Sequence, residues 1–340
     1  MMHLPSDTAF YFILPDVPAS SWVNIVWSDV RPLGKVFLAT TTLKSNWLRK
    51  LKKIHFSNKA NKKFWLPMKH LWNGVFPIKA DMLDTKKRNY IIFHSGVKFS
   101  PSYLGWLKRH CNACIVLYLP DTLFALNIAN NSAEWTRYKE YYGIDLVFSF
   151  DPEDCKRYGF MFFDIYSCFP VDMFPNIKEA RTDIFYVGSC RTEERLKLVQ
   201  KIYEKMHGQT TCSFRITGVP EKDIQQHDEI IYNIPISYRD VIGEIMKSRC
   251  ILEIINPGQY GNTLRYKEAI CYGKKLLTNN PDVLTSRYYN PRWIQYFKDA
   301  EDIDVGWIVD GDEPMYHYGG EFSPKHLLNM IVESNTNLLN

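Results

Sequence analysis

Short apolar runs alternate with longer stretches whose apolar residues recur every three or four positions, and the alternation continues along the whole chain. The short runs read as strands. In the first half they are Phe10 to Leu14, Lys35 to Ala39, Tyr90 to Phe93, Cys114 to Leu119 and Leu146 to Phe150. In the second half they are Ile184 to Val187, Ser213 to Thr217, Cys250 to Ile255 and Lys275 to Thr278. Helical spacing falls between them, at Leu43 to Ile54, Lys63 to Trp72, Ser132 to Tyr142, Thr192 to Met206, Ser237 to Lys247 and Leu264 to Tyr272. After Ser323-Pro324 a capped helix presents Leu327, Leu328, Met330 and Ile331 on one face. Strand and helix in alternation predict an α/β fold with parallel sheets covered on both faces.

At roughly 150 residues per domain, a chain of 340 residues makes two domains. The break falls in Phe169 to Thr182, where Pro170 and Pro175 separate a strand-like run from a fresh strand. The expected organisation is a Rossmann-like domain over 1–175, a second over 176–322, and a terminal helix over 323–340. Two such doubly wound domains would face each other across a cleft, with ligands at the carboxyl ends of the strands.

Composition narrows the classes. With 46% hydrophobic and 23% charged residues the chain is neither collagen-like nor wholly disordered. No apolar run approaches the ~20 residues of a membrane-spanning helix. The start lacks a basic segment, and Pro15 cuts short the apolar run Ala9 to Leu14. The expectation is a cytoplasmic protein. Charge is unevenly spread: through Lys178 there are 23 Lys and Arg against 14 Asp and Glu, and afterwards 19 against 23. Leu43 to Asn89 alone holds 13 basic residues and only Asp81 and Asp84 as acids, interleaved with Trp47, Phe56, Phe64, Trp65, Trp72 and Phe76. Such a stretch suits anionic lipid headgroups. It equally suits two amphipathic helices with rings inward and lysines in water. No nucleic-acid module accompanies the charge, so nucleic acid is not an expected partner.

Eight cysteines include one C-x-x-C, Cys111 and Cys114, with no second pair to complete a zinc site. The other six are scattered, as reduced and mostly buried thiols would be.

The richest chemistry lies between Cys250 and Asn280: strand CILEIINP, loop GQYGNT, helix LRYKEAICYG, strand KKLLTNN. A Gly-containing loop that opens a helix offers backbone N–H groups and the positive end of the helix dipole to a phosphate. Gly258 and Gly261 permit close approach, and Asn262 or Thr263 caps. Arg265 sits in the first turn, where the dipole disfavours a cation unless an anion is near, so it is a candidate fork donor to a diphosphate. Glu268, three residues on, shares its face and can accept from ribose hydroxyls. An ordinary turn with an Arg–Glu surface pair fits the same residues.

The segment SRCILEIINPGQYGNTLRYKEAICYGKKLLTNN resembles the nucleotide-binding heart of bacterial GT-B glycosyltransferases of the lipopolysaccharide and capsule type. DIFYVGSCRTEERLKLVQKI resembles the first strand, loop and helix of their C-terminal domain. The resemblance spans roughly Asp183 to Ala300, and the first half shares element order only. It implies a donor domain for a nucleotide diphosphate sugar and an N-terminal acceptor domain. It also implies roles: Glu268 for the ribose; Gly261, Asn262 and Thr263 for the diphosphate, beside Arg265, already a candidate from its position, with Gly188 to Arg191 opposite; and Ile234, Pro235 and Tyr238 for the base. Many retaining members carry a second glutamate eight residues before the ribose glutamate; here that position is Tyr260, which leaves the stereochemistry open.

An inverting reaction needs a general base near the acceptor hydroxyl. His94, Asp121 and Asp151 stand at strand ends. Asp151-Pro152-Glu153-Asp154 reads as a helix cap, so His94 ranks first for its titration near neutrality, then Asp121. Asp310-Gly311-Asp312 has the spacing of a metal-holding D-x-D and also that of a turn; the turn is favoured, after the strand-like Gly306 to Val309. Walker A, G-x-G-x-x-G and G-x-S-x-G motifs are absent.

The resulting expectation is a glycosyltransferase acting on a lipid-linked or growing cell-surface polysaccharide, needing neither metal nor cofactor. Its basic region 43–89 would hold it at the cytosolic face of the inner membrane. A GT-B-shaped binding protein without turnover is the alternative.

Overall fold

The computed structural model describes residues 4–15, 21–38, 43–64, 66–75, 78–168, 182–190, 192–225, 227–255 and 261–339. The chain forms two compact units. The first contains Val23–Ser167 and Phe322–Asn340 with the strand that precedes them; the second is built on Cys168–Glu321. Each carries one all-parallel six-stranded sheet. The expected linker, Phe169 to Thr182, lies almost wholly outside the described residues.

The first sheet contains β1 (Thr8–Leu14), β2 (Lys35–Leu38), β3 (Arg88–His94), β4 (Ala113–Leu119), β5 (Leu146–Ser149) and β6 (Met161–Phe162), in the order β2-β1-β3-β4-β5-β6. All seven residues of β4 and six of the seven in β3 are buried, as central parallel strands with both faces covered require. Ile91, Phe93, Ile115 and Leu117 pack on one side against two helices that follow β3 and β4. The helices of this half are α1 (Trp22–Ile25), α2 (Asn46–His55), α3 (Asn58–Phe64), α4 (Pro101–His110), α5 (Ser132–Tyr142) and α6 (Pro152–Tyr158).

The second sheet contains β7 (Thr182–Ser189), β8 (Cys212–Thr217), β9 (Ile230–Tyr232), β10 (Ser248–Glu253), β11 (Lys275–Thr278) and β12 (Ile294–Tyr296). Its order is β12-β11-β10-β7-β8-β9: the chain runs outward from β7 and then returns to the other side of β7 with β10. The helices are α7 (Glu193–Met206), α8 (Tyr238–Met246), α9 (Leu264–Tyr272) and α10 (Val305–Val309). The order reverses between β7 and β10, so the crevice at their carboxyl ends is the ligand position that doubly wound topology favours. In the first sheet the reversal lies between β1 and β3.

Several elements depart from the sequence reading for identifiable reasons. The helix expected over Lys63 to Trp72 is absent; α3 ends at Phe64 and a 3-10 stretch, Lys69–Val75, follows Pro67, which cannot continue a helix. The strand-like Gly306 to Val309 lies in α10, nucleated by Asp304, whose carboxylate accepts from the Trp307 backbone N–H at 3.3 Å. The terminal helix α11 (Pro324–Leu339) is part of the first unit: Ser323 donates to Asp29 at 2.7 Å, Arg88 donates to Asn335 at 2.9 Å, and Leu327, Leu328 and Ile331 are fully buried.

Candidate functional site

The end of β10 and the start of α9 build a connected polar network in an otherwise apolar core. Glu253, the last residue of β10, has no exposed surface. It lies directly opposite Thr278 in the β10–β11 register, and the Thr278 hydroxyl donates to Oε2 at 2.5 Å. The Thr263 hydroxyl donates to Oε1, also at 2.5 Å. Thr263 is the N-cap of α9: the same hydroxyl accepts from the Arg265 backbone N–H at 3.0 Å. Burial raises the Glu253 carboxyl pKa while the two hydroxyls pull it back. Glu253 thus anchors the first turn of α9 to the sheet. The sequence reading missed it; the available signal was a lone carboxylate in the apolar strand CILEII.

One turn further along α9, Glu268 is also fully buried. The Tyr238 hydroxyl, at the start of α8, donates to its Oε1 at 2.6 Å, and the Arg265 guanidinium pairs with its Oε2. Burial raises the Glu268 pKa to about 7, against the opposing pull of Arg265 and then of the Tyr238 hydroxyl. The Arg–Glu pair is therefore present, but inside the protein: the Arg265 side chain is 15% exposed and that of Glu268 not at all. Both oxygens of this carboxylate already have a partner within the protein, so a ribose hydroxyl would compete with Tyr238 or Arg265 for it.

Gly261 has φ +79, in the left-handed region that favours glycine. Its N–H donates to Asp282 Oδ2 at 3.3 Å and its carbonyl accepts from Asn280 Nδ2 at 3.2 Å, which ties the loop end to the segment after β11. Asn262 is half-buried beside it. Gly258, Gln259 and Tyr260 lie outside the described residues, as does Arg191.

Across the crevice, Gly188 stands near the end of β7. A Cβ there would meet the Tyr186 hydroxyl oxygen at 2.5 Å, so glycine is demanded by packing within the unit. The same imaginary atom lies 3.4 Å from the Arg195 guanidinium. Arg195 occupies the first turn of α7, the dipole-disfavoured position that singled out Arg265, and it was overlooked. Ile234 and Pro235 are exposed in the turn after β9, just ahead of Tyr238, which is buried. Tyr238, Arg265 and Glu268 are thus joined directly, with Glu253 and Thr263 beneath them.

In the first unit the two candidate bases differ sharply. His94 ends β3 inside the core, 3% exposed, and its Nδ1 accepts from the Trp27 indole N–H at 2.8 Å. An indole nitrogen only donates, so the His94 proton sits on Nε2. Burial drives the imidazole pKa down to about 3. The ranking of His94 above Asp121 is therefore corrected: its free lone pair is already engaged, and it titrates far below neutrality. Asp121, just beyond β4, is exposed; its Oδ1 accepts from the Thr122 N–H at 2.9 Å. Partial desolvation raises its pKa, with Asp151 adding repulsion. Asp151 is the cap of α6, accepting from the Asp154 N–H at 2.7 Å.

Asp310 accepts from Lys275 at 2.8 Å and Asp312 pairs with Arg292 at 2.7 Å, so the D-x-D carboxylates serve ion pairs. Among the described residues no cluster of three His, Cys, Asp or Glu side chains could hold a metal. Cys111 and Cys114 are buried free thiols, and burial pushes Cys114 up to about 12.

No protein-family model matches the chain, and no curated protein matches its sequence. Solved structures do share its fold. The chain is similar to a glycosyltransferase from Rickettsia africae, with TM-score 0.53 and 11% identity over 99% of this chain and 100% of that one. It is also similar to an α-glucosyltransferase in complex with UDP and a 13-mer DNA containing a HMU base, with TM-score 0.52 and 11% identity over 94% of each chain. At these identities the likeness is one of fold: two Rossmann-like α/β domains, as in GT-B proteins.

Proposed function

We propose that this protein is a glycosyltransferase that takes a sugar from a nucleotide diphosphate sugar and passes it to a lipid-linked or growing cell-surface polysaccharide. The observation that carries the reading is the Tyr238–Glu268–Arg265 network, seated on Glu253 and Thr263 where the second sheet reverses order. A fully buried carboxylate paired with a largely withdrawn guanidinium is costly to bury, and such perturbed groups concentrate at functional sites. The donor diphosphate would lie over the N-terminus of α9, against Gly261, Asn262 and Thr263 on one side and Gly188 and Arg191 on the other. Ile234, Pro235 and Tyr238 would face the base.

In the transfer, the acceptor oxygen bonds to the anomeric carbon as the bond from that carbon to the diphosphate breaks. The acceptor proton goes to a base, for which Asp121 is the favoured group. Arg265, Arg195 and the α9 amides neutralise the departing diphosphate, so the chemistry calls for no metal. A ligand at ~100 times its dissociation constant adds about 2.7 kcal/mol to stability. Thermal unfolding against UDP, GDP, CDP, ADP and TDP should therefore show a raised melting temperature with one of them, lost in Arg265→Ala. No shift from any nucleotide would refute the reading.

The acceptor side of the proposal draws on α2. Trp47, Leu51 and Ile54 are 67%, 40% and 61% exposed at helical spacing, flanked by Arg49, Lys50 and Lys53. Rings expected to face the core or lipid are split: Phe56 is buried, while Trp47 and Phe64 lie in the open. An exposed apolar stripe edged by cations fits an anionic bilayer surface. No helix among the described residues is long and apolar enough to cross a membrane.

A further inference from the structure

The first sheet also has a reversal of strand order, between β1 and β3, and a pocket of about 420 Å³ opens at the carboxyl ends of those two strands. Pro15 follows β1 directly and Ser95 follows β3 directly, and both line it. The volume lies within the ~300–1,000 Å³ usual for small-molecule sites. Four lysines, Lys52, Lys53, Lys59 and Lys98, line it, and no carboxylate does among the described residues.

Lys98 is the distinctive group. Its Nζ donates to Asn58 Oδ1 at 3.2 Å and to the Phe56 carbonyl at 3.4 Å, both neutral acceptors. Burial lowers its pKa to about 8, and no carboxylate among the described residues pairs with it. Lys52 sits with its ammonium 4.5 Å from the centre of the Phe99 ring. Lys98, largely withdrawn from solvent and held by two neutral acceptors, makes a strong anion site, because an incoming anion supplies a counter-charge. Phe56 and Leu126 give the same pocket an apolar wall. Asn58 and Asn127 are shared with a neighbouring pocket of about 590 Å³ that Phe64 and Tyr141 help to line, which leaves room for a sugar beyond the anion.

We propose that this pocket binds the phosphate or diphosphate of a lipid-linked acceptor, with Lys98 as its central cation. The inference deepens, and rests on, the reading of the first unit as the acceptor domain. A concave site with Lys52 buried, Lys98 largely withdrawn from solvent and an apolar wall fits a single phosphate at the end of a chain. The successive phosphates of a nucleic acid would instead lie along the exposed cations of α2, Arg49, Lys50 and Lys53, and would not call on Lys98. The same helix, α2, supplies Lys52 and Lys53 to the pocket and carries the exposed Trp47–Leu51–Ile54 stripe that a lipid tail needs nearby.

The test is calorimetric titration of the full chain with inorganic pyrophosphate, a short-chain polyprenyl diphosphate and a DNA duplex, with UDP titrated in parallel. Removing one charge-assisted contact should weaken pyrophosphate and polyprenyl diphosphate about tenfold in Lys98→Met, with Lys98→Arg restoring most of it and the UDP response unchanged. Lys59→Met, at an exposed side chain, should weaken both about threefold; it decides the matter if Lys98→Met fails to fold. Failure of polyprenyl diphosphate to bind, or unchanged affinity in the lysine variants, overturns the proposal. DNA binding tighter than the lipid diphosphate and lost in Lys98→Met overturns it in favour of a nucleic-acid site. Loss of the UDP response alone, with lysine-dependent diphosphate binding intact, removes the donor-site reading and leaves this pocket standing.

Discussion

Replacing Glu268 by glutamine should abolish a specific pH dependence of stability. A carboxyl whose native pKa is about 7 rather than 4.5 binds its proton more tightly in the folded than in the unfolded chain. Between those two values the unfolded state carries fewer protons than the native one, so stability falls as pH rises. Below about pH 4.5 the group contributes nothing, and above about pH 7 its full penalty applies. At 1.36 kcal/mol for each tenfold change in proton affinity, the penalty is roughly 3 kcal/mol. Glu268 has no exposed surface, so solvent screening takes little from it.

The assay is thermal unfolding of wild type and Glu268→Gln at intervals from pH 5 to pH 8. A domain of 150–250 residues shifts its midpoint by roughly 2–4 °C per kcal/mol. About 2.5 kcal/mol of that penalty develops between pH 5 and pH 8, so the wild-type midpoint should drop by roughly 5–10 °C relative to the variant. The difference between the two curves isolates Glu268, since every other titrating group is common to both. Curves that stay parallel would refute the raised pKa, and with it the claim that burial outweighs the pull of Arg265 and Tyr238 on this carboxyl.

Two further outcomes follow. Tyr238→Phe removes the hydroxyl that donates to Glu268 at 2.6 Å and should lower stability by about 1–3 kcal/mol; if a ribose hydroxyl takes that place, the melting shift produced by the preferred nucleotide should be larger in the variant than in wild type, and an equal or smaller shift counts against ribose at Glu268. Trp47→Ser combined with Ile54→Ser should reduce co-sedimentation with vesicles of anionic lipid at least fivefold without altering the melting temperature, whereas unchanged sedimentation removes the lipid-facing role of α2.

Much of the fold was legible because its signals are local. The bounds of α5 and α9 coincide with the sequence reading, since Asn131 and Thr263 cap their starts through bonds to N–H groups two or three residues on. The central strands are continuous apolar runs for the same reason that they are central. The edge strands β9 and β12, three residues each, and β6, two residues, carry no period to detect. Proline explains two further errors, in opposite directions: Pro67 was passed over inside an expected helix, and Pro101 was not credited with starting α4.

The site was legible only in its local half. Arg265 and Glu268 are three residues apart, so their pairing could be read from spacing. What spacing does not contain is burial. Glu253 meets Thr278 only because β10 and β11 pair in register, and His94 loses its basicity to burial in a core where its Nδ1 is taken by an indole 67 residues earlier in the chain. Polar residues therefore announced themselves as candidates wherever they stood at strand ends, and long-range packing decided which became reachable.

That distinction bears on how the donor site would operate. With Tyr238 and Arg265 both on the Glu268 carboxylate, a nucleotide exchanges internal hydrogen bonds for bonds to itself, and the net gain from the ribose is the small difference between the two. Arg265 keeps further donors when one nitrogen faces Glu268, so its bond to a diphosphate adds to the pair instead of replacing it. The binding energy on this arrangement comes from the diphosphate and the base, while the buried carboxylate fixes where the guanidinium points. Glu268 then acts as a positioning residue: its loss should weaken UDP and inorganic pyrophosphate by similar factors, whereas a ribose ligand would be lost for UDP alone. Equal titrations of the two anions against Glu268→Gln separate the cases, and a loss confined to UDP would return the carboxylate to the ribose.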